Sequence, residues 1–214
     1  MHVGVFGTGM VGKAIGTKLV QLGHEVKMGS RTANNEKAAA WVKANGARAT
    51  QGTFGDAAAF GEMLFNCTSG MGSLDALHSA GEKNLNGKVL VDISNPLDFS
   101  KGMPPSLFVC NTDSLAEQIQ RAFPHANVVK ALNTMNCNLM VNPSLVPGEH
   151  DVFLCGNDAG AKTKVKEILT SFGWESPIDL GDLSGARGME MILMSWIRLM
   201  GVYQSPNFNY KIVR

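Results

Sequence analysis

Residues 3–32 read VGVFGTGMVGKAIGTKLVQLGHEVKMGSRT: an apolar run, a glycine turn, a helical stripe, and a second apolar run closing in Gly-Ser-Arg-Thr. Gly7, Gly9 and Gly12 stand at G-x-G-x-x-G spacing where the strand gives way to the helix. The three glycines meet separate needs. Gly7 permits the tight turn, Gly9 lets the backbone approach a pyrophosphate, and Gly12 lets the helix pack close to the strand. Thr8, Met10 and Val11 fill the remaining positions, and the free N–H groups of the helix's first turn, with its dipole, favour an anion there. With 24 glycines in 214 residues this spacing arises about 0.3 times by chance, so the flanks carry the reading. Ala14, Ile15, Leu19, Val20 and Leu22 recur at helical spacing, Gly23 is a stop, and Glu25 to Met28 begin a second strand.

That second strand ends in Ser30 and Arg31, where an NAD-specific site would place a carboxylate for the ribose 2′-hydroxyl. A hydroxyl and a guanidinium suit a 2′-phosphate instead, because arginine grips phosphate oxygens through two parallel N–H bonds. NADP(H) is therefore expected over NAD(H).

A chain of 214 residues is long enough for one well-buried α/β domain with a small extension. A formal net charge of +1 with no basic block argues against a nucleic-acid surface. Cys67, Cys110, Cys137 and Cys155 form no C-x-x-C or Cys/His cluster, so neither zinc nor a redox disulfide is expected. No apolar run reaches membrane-spanning length and no cleavage signal precedes the first strand, which sets the expectation of a cytoplasmic protein.

Beyond Arg31 the patterns alternate. Helices are predicted over 35–45, 53–60, 74–80 and 114–123, and strands over 47–50, 62–67, 87–93 and 128–132. The order predicts an α/β fold, a Rossmann-type doubly wound and mainly parallel sheet. Ligands then lie beyond the carboxyl ends of the strands, which places Thr68 and Ser69 at the border of the cofactor and puts the Asn95 amide at the ligand-facing end. Ser69 reads equally as a turn hydroxyl serving local backbone bonds, and the sixth strand ends in Asn133-Thr134. Ser114 and Glu117 have capping-box spacing, and 97–111 is a long loop that reads equally as a lid or a surface excursion. Lys130 reads as a lysine snorkelling at a sheet edge.

Residues 1–134 are expected to be the NADP-binding domain and 135–214 a small α/β extension packing on it, for an acceptor pocket or a dimer contact. The extension holds a short helix at 135–141, a strand at 150–155, a helix at 159–172, a strand at 175–179 and a methionine-rich helix at 184–202. The last is apolar on much of its surface, and reads as closing the core, joining a second subunit in a homodimer, or lining a cofactor pocket.

The runs GTGMVGKAIGTKLVQLGHEVKMGSR, VLVDISNP and VVKALNT, with the late blocks FLCGNDAGAKTKVKEIL and DLGDLSGARGME, resemble the F420:NADP oxidoreductases. These are NADPH-dependent reductases of the deazaflavin coenzyme F420. The same segments are similar to the cytosolic NADPH/flavin domain of six-transmembrane metalloreductases. Nothing here matches their membrane half, so transmembrane iron reduction is not expected. The resemblance implies phosphate contacts from Thr8, Gly9, Met10 and Val11, a 2′-phosphate site at Ser30 and Arg31, and a nicotinamide surrounded by Thr68, Ser69, Asn95 and Ala131 to Asn133.

Hydride transfer from nicotinamide to a deazaflavin or flavin such as FMN or FAD needs stacked rings and no general acid or base, and no catalytic side chain is assigned. Two alternatives stand beside this one: an NADP-dependent reductase of a small carbonyl or imine, and a non-catalytic NADP(H) sensor acting through the final helix.

Overall fold

The computed structural model describes residues 1–214. The chain runs β1 (His2–Phe6), α1 (Met10–Gln21), β2 (Glu25–Ser30), α2 (Glu36–Asn45), β3 (Ala49–Thr53), α3 (Phe54–Phe60), β4 (Met63–Asn66), α4 (Gly70–Ala80) and α5 (Glu82–Leu85). There follow β5 (Val89–Asp92), β6 (Leu97–Asp98), β7 (Ser106–Leu107), α6 (Leu115–Ala122), β8 (Asn127–Ala131), α7 (Cys137–Val141), β9 (Phe153–Gly156), α8 (Ala159–Phe172), β10 (Ile178–Asp179) and α9 (Ala186–Tyr203).

Eight strands form one sheet in the order β10-β9-β8-β5-β4-β1-β2-β3. Every neighbouring pair is parallel except β8–β9, where Lys130 faces Cys155 in antiparallel register. The mainly parallel Rossmann-type sheet is thus present. From β1 the chain winds outward to β3 and returns to β4 on the other flank, so a crevice opens between the carboxyl ends of β1 and β4.

Two apolar cores lie on the two faces of the sheet, as strands covered by helices on both sides require. Val3 and Val5 join Ile15, Leu19, Trp41, Val165 and Leu169 in one core. Phe6 joins Phe54, Leu77, Leu90, Ile119 and Met189 in the other. Alternation along β1 does this sorting, and each fully buried Val or Phe contributes about 1.5–3 kcal/mol.

Local chemistry moved several expected boundaries. Gly46–Arg48 is a 3-10 turn, which delays β3 to Ala49. Helix α4 begins at Gly70, four residues before its apolar stripe, and puts Ser69 at the N-cap. The capping box falls at Thr53 and Asp56, whose side chains each bond the other's backbone N–H. At α6 Ser114 accepts from the Glu117 N–H, but the Glu117 carboxylate turns instead to the Ser114 hydroxyl and to Arg187. The 97–111 segment is pinned by the antiparallel pair β6–β7.

Lys130 is not at an edge. It is fully buried on an interior strand, because β9 covers the flank of β8 that the βαβ order left open. Helix α9 buries Ala186, Met189, Glu190 and Leu193, and lays Trp196 against Phe208 of the following tail with ring centroids 5.4 Å apart. No helix is long and apolar enough to cross a membrane.

Candidate cofactor site

The glycine turn places its three glycines in three different environments. Gly7 has φ +112° and donates its N–H to the Gly29 carbonyl at 3.0 Å, bending the chain between β1 and α1. A β-carbon on Gly12 would collide with the Gly7 carbonyl, so that position sets how closely helix and strand pack. A β-carbon on Gly9 would meet nothing within 4 Å. Gly9 opens α1 with no side-chain cap and no acidic residue in the first turn, which includes the exposed Met10 and, behind it, Val11 and Gly12. An uncapped helix terminus facing open space keeps free N–H groups and the positive end of the helix dipole, which favour an anion.

A cleft of about 690 Å³ runs from this turn across the ends of β2 and β4, and Gly7, Thr8, Gly9, Ser30, Arg31, Thr68 and Ser69 all line it. Seven of the expected cofactor residues therefore meet in one cavity. Arg31 is exposed and takes part in none of the molecule's ion pairs. Ser30 is nearly buried, and its hydroxyl donates to the Thr32 carbonyl at 2.6 Å, which leaves its oxygen lone pairs free to accept.

At the other end, Thr68 bonds Asn66 Oδ1 at 2.6 Å and Ser73 Oγ at 2.8 Å, while the Ser69 hydroxyl serves no cap. Gly70 lies directly against the Asn95 carbonyl, which fixes the end of β5 beside the start of α4. Asn95 and Asn133 hold each other: Asn95 Nδ2 donates to the Asn133 carbonyl at 3.0 Å, and Asn133 Nδ2 to Asn95 Oδ1 at 2.9 Å. A turn at Leu132 with φ +64° makes this meeting feasible by redirecting the chain after β8. A non-glycine residue in that region costs on the order of 1 kcal/mol or more, and such strain gathers at functional sites. Asn95, half-buried, and Ala131 and Asn133, both buried, are not among the residues that line the cleft.

Beneath this pair lies a charged cluster that pattern reading missed. Lys130 Nζ sits 2.7 Å from Asp92 Oδ2 and 2.9 Å from Glu190 Oε1, all three side chains at most 1% exposed, and it also donates to the Ser94 carbonyl. Burial alone would push the lysine pKa down; Asp92 and Glu190 outweigh it and hold the value above that of an ordinary lysine. Glu190 also accepts from the N–H groups of Leu115 at 2.8 Å and Ala116 at 3.1 Å, the first turn of α6. The available signals were an acid inside an apolar helix and a lysine inside an apolar strand.

No three His, Cys, Asp or Glu side chains gather as a metal site. Cys67, which lines the cleft, has its thiol pKa pushed well up, first by burial and then by Asp92.

A family model described as NADP oxidoreductase, coenzyme F420-dependent, matches residues 2–96. An F420-dependent NADP reductase of Methanocaldococcus jannaschii is 30% identical over 132 residues, covering 61% of this chain and 59% of that protein. Metalloreductase STEAP3 of Rattus norvegicus is 32% identical over 199 residues, covering 91% of this chain and 37% of that protein. The chain thus spans less than two thirds of either relative's length. A crystal structure from Arthrobacter sp. FB24, provisionally assigned as an F420-dependent NADP reductase, superposes with a TM-score of 0.95 at 50% identity, covering 99% of both chains.

Proposed function

This chain belongs to the family of F420-dependent NADP oxidoreductases, and from that premise we propose that it passes hydride between NADP(H) and a deazaflavin or flavin ring. One observation carries the reading. The open, uncapped start of α1 at Gly9 and the unpaired Arg31 border the same cleft, two anion sites suited to a pyrophosphate and a 2′-phosphate.

Thr8, Gly9, Met10, Val11 and Gly12 hold the pyrophosphate, and Ser30 with Arg31 holds the 2′-phosphate. Thr68, Ser69 and Asn95 border the nicotinamide, with Ala131 and Asn133 as the wall behind. When bound, the two cofactors supply the redox chemistry; the chain's part is to hold both rings in contact and keep water out. Residues 135–214 complete the acceptor side and, in a homodimer, the contact between copies. A cytoplasmic setting suits this chemistry.

The test is anaerobic. Protein and NADPH are mixed in parallel with the deazaflavin, FMN, FAD or riboflavin, and loss of each acceptor's visible absorbance is followed. Fast bleaching of one acceptor is expected. NADPH binding with no bleaching of any would overturn the transferase and favour a sensor, or a reductase of a small carbonyl or imine.

A further inference from the structure

We propose that Glu190 is a positioning residue for the nicotinamide end of the site, acting through Asn133 on Asn95, which stands beside the start of α4 just beyond the residues lining the cleft. The inference rests on the NADP(H) reading and adds what orients the group beside the nicotinamide.

The chain of contacts is continuous. Glu190 on α9 is clamped by Lys130 of β8 and by two N–H groups of α6. The residue before it, Met189, offers its carbonyl to Asn133 Nδ2 at 2.8 Å. The second hydrogen of that amide goes to Asn95 Oδ1, and Asn95 returns one N–H to the Asn133 carbonyl. Both Asn133 hydrogens are therefore used, its amide has one orientation, and Asn95 is left with a single free N–H. Of the two residues only Asn95 reaches the surface. Its remaining N–H is a donor of fixed direction, matched to an amide oxygen such as that of the nicotinamide carboxamide.

Glu190 completes the cap of α6, because Ser114 takes only the Glu117 N–H and leaves those of Leu115 and Ala116 to the Glu190 carboxylate. That role does not call for Lys130 on its other side. A buried carboxylate–ammonium cluster is also seldom better for stability than apolar residues of the same size. What the cluster supplies is register: it ties β5, β8, α6 and α9 together, and so fixes where the Met189 carbonyl stands relative to Asn133.

The test is a mutant cycle in the full chain: Asn133→Ala, Glu190→Gln and the double variant, with Glu190→Asp as a second replacement that keeps the charge. The readouts are kcat with NADPH and the acceptor bleached fastest by wild type, and affinity for 2′,5′-ADP, which reports only the adenosine end. Each single variant is expected to lower kcat about tenfold or more while 2′,5′-ADP binding stays within about twofold. The double variant is expected to match Asn133→Ala, because Glu190 acts through that amide. The proposal is overturned if a Glu190 replacement leaves kcat unchanged, lowers it equally in the Asn133→Ala background, or weakens 2′,5′-ADP in parallel with kcat. Wild type that binds neither 2′,5′-ADP nor NADPH overturns the cofactor reading and this inference together.

Discussion

Gly12 packs so closely on Gly7 that a single β-carbon on Gly12 would collide with the Gly7 carbonyl oxygen, whereas a β-carbon on Gly9 would touch nothing. Two glycines of one motif therefore answer to different constraints. Gly12→Ala meets backbone that cannot yield, and a loss of up to about 3 kcal/mol is expected from overpacking. Gly9→Ala leaves folding nearly unchanged and instead occupies the space assigned to the pyrophosphate. Thermal melts and NADPH titrations of both variants separate these effects; a Gly9→Ala chain that binds NADPH like wild type would move the pyrophosphate elsewhere.

Arg31 has no ion-pair partner within the protein, so its removal takes little from the fold. Arg31→Ala is expected to weaken NADPH about ten- to a hundredfold and to leave NADH nearly unaffected. Calorimetry with both cofactors decides, and equal losses would mean that the guanidinium does not read the 2′-phosphate.

The Lys130 cluster makes a prediction about stability. Lys130→Met keeps the volume but leaves Asp92 and Glu190 buried without their cation, and a loss of about 3–5 kcal/mol is expected. Denaturant melts of both chains check this, and a loss within about 1 kcal/mol would show that the cation is not needed to hold the two carboxylates.

Acid sensitivity is expected where α6 meets α9. Arg187 grips Glu117 with two bonds of 2.9 and 2.6 Å, and this pairing, ahead of the opposing burial and the added Ser114 bond, holds the Glu117 pKa below the usual carboxylate value. Asp113 is lowered to about 2, chiefly by its hydrogen bond to Arg121. A depressed folded-state pKa gives stability that is full above the unfolded value and lost as pH drops through the folded one. Melting temperature should therefore fall between about pH 5 and pH 2, and Arg187→Gln should flatten the upper part of that fall. An unchanged slope in the variant would show that the pair contributes nothing.

Thiol chemistry gives a check on the sheet. Cys110 is exposed, whereas burial raises Cys155 to about 12. At pH 8 Cys155 should alkylate roughly a thousandfold more slowly than an ordinary exposed thiol. Mass spectrometry after a short pulse reads the difference, and rapid labelling of Cys155 would contradict a buried β9.

By itself the sequence determined the alternation of strands and helices, the glycine turn and the Ser30–Arg31 end of the cleft. These depend on periodicities of 2 and 3.6 residues and on backbone freedom at fixed offsets, all local properties of 3–32 and the repeats that follow. Capping was less legible, because Glu117 had a distant competitor in Arg187 for the bond that its spacing suggested. Only the tertiary structure decided the rest. That Lys130 lies inside the sheet follows from β9 pairing antiparallel with β8, and that Glu190 neutralises it follows from α9 packing against α6 and β9. Lys130, Asp92 and Glu190 are separated by up to 98 residues in the chain, and no local pattern encodes a partner at that distance. A buried charge is tolerated only when such a partner arrives, so the cluster near the carboxyl ends of β5 and β8 is a product of the completed fold.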